Sequence, residues 1–540
     1  MHDKTSDIGV PAEGMSKAAF DVARAARLCI VLVPLVLWIW LCRDWPARLG
    51  FYSDDWTVML HPFVGTAEAF RDILRMVATR PVSVPYIWLA QAIADWSPAR
   101  SQILNAAMLL VSAASVGLLA AALSSAVDRL RGGALVAACV AGATFVVFPS
   151  NVGTFAWATG VSTVIPALPL FCLAVSLLLH SQGSWRRLLL GLLLALLSHL
   201  SYEAFYFQEI PLLLIAAALR GNTIKEIPWR TLVGALLVNV ACLAFNRLTP
   251  GGVQKSFHWD FFHSFVGSYS HILAALGHAT REHRLLIAGT VLVAGPSGAV
   301  CLARIVSASR VGLAFLLMAG GIVASGLLYA SAGYGFVAEG VMARTCIVVA
   351  TYYCIAAGVL AAAAWSTADR SPLTAIAFCL AAATGLVALE ATARARTGEW
   401  AENWSYELAR LSRLPATVTS GDKLAGADQH VYVAVEDGPP LAIAAAAAPW
   451  EITGAIAWAS YMITNTRSLT SDLWKGGNTA PRWFAATRGW FNRWNGQLFE
   501  QGFCDSGTVI YSASASKLWV WKTSASTLSK VDGPWEYGCQ

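Results

Sequence analysis

The stretch SQILNAAMLLVSAASVGLLAAALS, residues 101–124, carries no ionisable side chain. As a helix rising 1.5 Å per residue it is about 36 Å long, enough to cross a hydrocarbon core of about 30 Å. Outward from it, comparable apolar runs recur near 27–43, 133–149, 161–180, 186–200, 207–219, 230–247, 284–303, 310–330, 345–365 and 371–391. Together they predict about eleven crossings. The 186–200 and 207–219 runs are short and predict tilted or broken helices. The run 81–94 is apolar too, but its length, Pro81 and Pro85 predict an interfacial or re-entrant helix. Composition agrees: the 540 residues are 56% hydrophobic and 13% charged, against about 25% charged in a soluble domain. The expectation is a mostly α, polytopic helical membrane protein. A net charge of +6 is scattered along the chain. No basic stripe with interleaved aromatics marks a nucleic-acid footprint.

The short loops orient the chain. Arg129 and Arg131, Arg186 and Arg187, Arg220 with Lys225 and Arg230, Arg304 with Arg310, and Arg370 fall on one side, together with the basic N-terminal tail. Loops 150–160 and 201–206 on the other side hold no Lys or Arg. That is the positive-inside pattern, with residues 1–26 a cytoplasmic tail in a cell inner (plasma) membrane. The first apolar run lacks a small-residue cleavage site behind it and reads as a retained anchor. The membrane body spans 27–391, with a long first outside loop at 44–100. Residues 392–540 then lie outside. Residues 392–413 read as an amphipathic helix at or above the bilayer surface. Residues 420–540 read as a small, Trp- and Gly-rich α+β domain, with strand-like runs at 430–435, 507–514 and 517–524. Cys504 and Cys539 are the pair a disulfide would join there, the alternative being two free thiols. Five outside tryptophans, Trp450, Trp474, Trp483, Trp490 and Trp494, suit either a sugar-stacking face or a core.

Ionisable residues gather at one depth on the outside. FYSDDWTVML, residues 51–60, sets the carboxylates Asp54 and Asp55 between Tyr52 and Trp56. Like charges this close raise one pKa toward general-base strength; solvated or helix-capping acids are the plainer alternative. Residues 67–78 predict an amphipathic interfacial helix, and Arg80 follows it. A guanidinium at the bilayer edge suits a lipid phosphate, or ordinary headgroups. In SYEAFYFQEIP, residues 201–211, Glu203 lies beside Tyr202 and near His199, with Glu209 further on. A carboxylate at membrane depth faces a cavity or a partner. Glu339 and Arg344 sit in a Gly-rich loop at 331–346. His258, His263, His271, His278, Arg281 and His283 are further outside residues whose spacing matches no metal motif.

On these features the chain resembles the GT-C superfamily of integral-membrane glycosyltransferases. SDDW (53–56) opens the first outside loop, and an amphipathic helix leads into TRPVSVP (79–85). SYEAFYFQEIP follows, then a C-terminal outside domain. The likeness covers most of 27–391. It implies a polyprenyl-phosphate-linked sugar as donor and an envelope glycan, glycolipid or protein as acceptor. It also implies an inverting displacement with a first-loop Asp as general base. Asp54 or Asp55 fills that role, with a slight preference for Asp55. Arg80, Arg344 and His199 would bind the donor phosphate. Glu203, with Tyr202, would orient the acceptor or hold an Arg in place. The acids are adjacent rather than spaced as DxD, so no cofactor is implied with certainty and a divalent cation stays open. The signature of the protein N-glycosylating members is missing. A transporter or flippase of lipid-linked saccharides and a non-catalytic membrane scaffold are the alternatives.

Overall fold

A computed structural model describes residues 32–221, 229–249, 281–330, 340–414, 430–434, 449–465, 482–486, 490–494, 498–503, 506–512, 518–530 and 535–537. Eight helical segments among them are long and apolar enough to cross a membrane: Pro98–Ser125, Asp128–Val146, Ala158–Leu179, Trp229–Leu248, Leu286–Ile305, Ala308–Tyr329, Ala343–Thr367 and Pro372–Leu411. This is a multi-pass membrane protein. The 186–200 and 207–219 runs form helices of 15 residues (Trp185–His199) and 12 residues (Glu209–Arg220), short of the roughly 17–25 residues a crossing takes. Residues 32–42 are helical from the first described residue.

In chain order the elements are α1 (32–42), α2 (Trp45–Arg48), α3 (Asp55–Val58), α4 (Ala67–Met76), α5 (Val84–Ala94) and α6 (Pro98–Ser125). Next come α7 (Ala134–Val146), α8 (Pro149–Ala156), α9 (Ala158–Val164), α10 (Ala167–Leu179), α11 (Trp185–His199), α12 (Glu209–Arg220) and α13 (Trp229–Leu248). The series continues with α14 (Arg281–Ile305), α15 (Ala308–Ala330), α16 (Ile347–Thr367), α17 (Pro372–Leu411) and α18 (Pro449–Thr464). The most enclosed span is Ala343–Thr367, with 78% of its apolar window buried, whereas Trp229–Leu248 and Leu286–Ile305 are 22% buried and peripheral. Small residues bring α16 and α6 against α7. A Cβ on Gly358 would meet the Ala137 carbonyl oxygen at 2.5 Å, and one on Gly117 would meet that of Ala138 at 2.6 Å. With lipid on both sides of a helix, such close packing is what holds helices together.

One expectation changes. The 371–391 crossing and the surface helix expected at 392–413 are one continuous helix, α17, of 40 residues. At 1.5 Å per residue it is about 60 Å long, twice a hydrocarbon core. Its distal turns stay helical because Trp400 and Trp404 bury themselves against the first loop, and Leu411 is buried beyond them. The amphipathic helix expected at 67–78 is α4. Thr66 caps α4 by accepting from the Ala69 amide at 3.2 Å, a strong N-terminal signal. Ala69 and Ile73 face inward while Phe70, Leu74 and Met76 stay exposed, so α4 has an outward apolar edge.

The C-terminal strands are β1 (His430–Ala434), β2 (Arg482–Ala486), β3 (Trp490–Trp494), β4 (Leu498–Phe503), β5 (Ser506–Ser512), β6 (Leu518–Lys522), β7 (Leu528–Lys530) and β8 (Trp535–Tyr537). They pair in the orders β2-β1-β6-β7 and β5-β4-β3-β8. Three of them, β1, β5 and β6, fall on the runs read as strands. Cys504, Cys539, Glu339 and the histidines at 258–278 lie outside the described residues, as do the side chains of Arg281, His283 and the five outside tryptophans.

Candidate functional site

The first loop is tied down before its acids are presented. Gly50 lies against the Trp404 indole, where a Cβ would come within 2.0 Å, so no larger residue fits. From α6, the Gln102 amide donates to the carbonyls of Gly50 and Ala156, both at 2.8 Å. That single side chain joins the loop to the α8–α9 corner. The Tyr52 hydroxyl donates to the Trp400 carbonyl at 3.0 Å. Ser53 then adopts φ 45°, the left-handed region that residues with a Cβ seldom enter.

That turn sends the two adjacent acids in different directions. Asp55 is fully buried. One of its oxygens accepts from the Tyr52 and Ala158 amides at 3.2 Å, and the other from the Thr159 amide and hydroxyl at 2.7 and 2.8 Å. It seals the start of α9, as an anion at a helix N-terminus should. Burial pushes its carboxyl up to about 7, against the downward pull of Thr159, Tyr52 and Ala158. Asp54 is half-buried and lines a cavity of about 340 Å³. Burial raises its carboxyl, and the positive charge of Arg344 draws it part of the way back. Asp55, the acid slightly preferred from the sequence, has different surroundings. Its oxygens are filled by four donors, and it is absent from the cavity wall.

The remaining walls come from four places. Thr57 and Val58 continue α3. Ile73, Met76 and Val77 come from α4 and its end, Arg80, Ser83 and Ile87 from the following turn and α5, and Thr159, Ser162 and Thr163 from α9. Arg344 closes the cavity, its guanidinium 4.8 Å above the Trp157 ring. Close backbone approach sets its place. A Cβ on Gly153 of α8 would meet the Ala343 Cβ and the Gly340 carbonyl at 2.7 Å.

Arg80 is gripped from two sides. Its Nε and Nη2 donate to the two Glu203 oxygens at 2.9 and 2.6 Å, the bidentate fork that suits guanidinium and carboxylate. The Tyr202 ring lies 5.0 Å from its guanidinium, and the Tyr202 hydroxyl meets that of Tyr329 at 2.8 Å. Glu203 and Tyr202 hold Arg80; neither lines the cavity. His199, expected at the donor phosphate, does not line this cavity. It is wholly buried, with Nε2 2.7 Å from Glu209 Oε1. The Asn239 amide donates to the other Glu209 oxygen at 3.2 Å. This polar knot joins α11, α12 and α13 inside the bundle.

The sequence reading brought Asp54, Arg80 and Arg344 to one place but missed the α9 hydroxyls. Their signal was ATGVST at 158–163, where Thr159, Ser162 and Thr163 recur at the i, i+3, i+4 spacing of one helix face. Glu451, on α18, was missed as well. Among the described residues no group of three or more His, Cys, Asp or Glu side chains could hold a metal ion.

No family model, curated protein or solved structure matches this chain. What the site does must be argued from its chemistry. A carboxylate with a raised pKa and two guanidiniums share one cavity beside a helix whose apolar edge faces outward. Such a site can take a proton at one end and hold an anion at the other.

Proposed function

We propose that this protein is an inverting membrane glycosyltransferase. It takes a sugar from a polyprenyl-phosphate donor and passes it to an acceptor hydroxyl of an envelope glycan, glycolipid or protein on the extracytoplasmic face. Asp54 accepts the acceptor proton as the acceptor oxygen bonds to the anomeric carbon. The bond from that carbon to the phosphate oxygen breaks, and the electron pair leaves with the lipid phosphate. The leaving group needs positive charge rather than a proton, and Arg344 and Arg80 supply it, Arg80 held in position by Glu203. The α9 hydroxyls offer hydrogen bonds to sugar or acceptor. Met76, half exposed and in the cavity wall, sits where a lipid-borne substrate would enter.

The observation that carries this reading is the presence of Asp54, Arg80 and Arg344 in one cavity. The test uses the full-length protein in nanodiscs with polyprenyl-phosphate-linked sugars. Asp54→Asn should retain donor binding and lose turnover by roughly 10²–10⁴-fold, the usual worth of a general base. A variant that still moves lipid-linked saccharide across the bilayer, with no transfer by the wild type, would make the protein a flippase instead. Comparing envelope glycans with and without the protein names the sugar.

A further inference from the structure

Ser53 poses a problem that its own residue type does not solve. At φ 45° it sits in a region where glycine is at ease and a side chain is not. Yet this residue sets the direction in which Asp54 points. Something outside the loop must hold it there, because strained backbone persists only when its surroundings over-determine it.

The nearest candidate comes from nearly 400 positions along the chain. The Ser53 hydroxyl donates to Glu451 Oε1 at 2.9 Å, and Glu451 is buried. Glu451 is in the first turn of α18, which lies directly on α3. A Cβ on Gly454 would come within 1.9 Å of the Trp56 carbonyl oxygen, so the two backbones touch. Trp458 completes the contact. Its indole N–H donates to the Trp96 carbonyl at 3.0 Å, and its ring packs edge-on to Trp56 and Trp404 at 5.9 and 5.7 Å. Glu451 does not line the cavity, and its hydrogen bond from Ser53 falls on the residue next to Asp54.

From this geometry we infer that Glu451 is a positioning residue, holding Ser53 in its left-handed conformation so that Asp54 faces the cavity. The C-terminal region thereby sets the orientation of a carboxylate in the first loop. For transfer chemistry this rests on the reading of Asp54 as the base. The backbone effect does not.

The test compares Glu451→Ala, Glu451→Gln, Ser53→Ala, Ser53→Gly and the double variant Glu451→Ala with Ser53→Gly, all in full-length protein in nanodiscs. Hydrogen exchange of the amides at 55–59, all bonded back to residues 52–55, reads the loop directly. Binding of undecaprenyl phosphate and the kcat of transfer are the other readouts. Glu451→Ala and Ser53→Ala should speed exchange and lower kcat roughly 5- to 30-fold, the equivalent of the left-handed penalty. Binding of undecaprenyl phosphate should not change. Glu451→Gln keeps an acceptor oxygen and should keep most of the activity. Ser53→Gly lacks the hydroxyl but not the conformation. It should outperform Ser53→Ala and should restore the Glu451→Ala protein. Equal behaviour of Ser53→Ala and Ser53→Gly, or unchanged exchange in Glu451→Ala, would overturn the inference. A defect in Glu451→Gln as deep as in Glu451→Ala would assign the role to charge and also refute it. If no polyprenyl-phosphate sugar is turned over by the wild type, the transfer reading fails while the exchange result still decides this one.

Discussion

Among the places where carboxylates meet basic side chains, two differ sharply in what lies beside them. In the first-loop site, Asp54, Arg80 and Arg344 face a cavity of about 340 Å³. In the bundle, His199 meets Glu209 at 2.7 Å with both side chains wholly buried. Residue type and sequence context do not separate the two; His199 and Glu203 are only four positions apart. What separates them is access. A charged group that touches a void can still meet a ligand, as Arg80 can while Glu203 holds it, whereas one closed in by protein cannot. The first arrangement suits chemistry and the second suits assembly.

The comparison breaks first, and most severely, at His199. His199→Ala opens a void in the bundle and leaves one Glu209 oxygen without its contact, the Asn239 amide still serving the other, which together cost about 3–5 kcal/mol. Thermal or denaturant unfolding should show that loss, while transfer per folded molecule stays near wild type. If activity per folded molecule fell instead, the buried pair would belong to the site. Asp55→Asn sharpens the contrast within the SDDW segment itself. An amide cannot accept from all four donors that Asp55 satisfies, so stability should fall by about 1–3 kcal/mol, with a smaller effect on chemistry than Asp54→Asn.

The pH dependence of the two acids should also differ in what it reports. The Asp55 carboxyl, raised to about 7 by burial, binds a proton more readily in the folded than in the unfolded chain. Its contribution therefore favours the fold at low pH and fades as pH rises from about 4 through about 7. In Asp55→Asn that part of the slope should vanish from a plot of stability against pH. Asp54 reports through rate. Transfer needs it ionised, so activity should fall toward acid through a pKa above the ordinary carboxylate value. Since Arg344 pulls that pKa down, Arg344→Gln should move the acid limb to higher pH. An unmoved limb would mean that a different group titrates.

Much of the membrane body was legible from the sequence because lipid allows few solutions. A run such as 101–124 must be a helix, and eight helices among the described residues are long and apolar enough to cross. The two short runs, read as tilted or broken, form helices of 15 and 12 residues; hydropathy did not show that one ends on a buried His199 and the other begins on a buried Glu209. At the site, the outside acids and arginines announced themselves by being charged beside apolar spans. Which of Asp54 and Asp55 faced the cavity was hidden, because it turns on the φ angle of Ser53, a residue whose type does not ask for that angle. Glu451 was hidden for another reason: its meaning comes only from a contact across nearly 400 residues.

The length of α17 limits how the chain can change. Each residue of a helix turns the next by about 100° and advances it 1.5 Å. A single residue inserted between Thr392 and Trp400 would swing both tryptophans a quarter-turn away from Gly50 and Tyr52. Seven inserted residues would return them almost to their original bearing, but about 10 Å further from the bilayer. This stretch of helix can therefore hardly vary in number, so insertions and deletions should be purged here even where substitutions at its exposed positions pass.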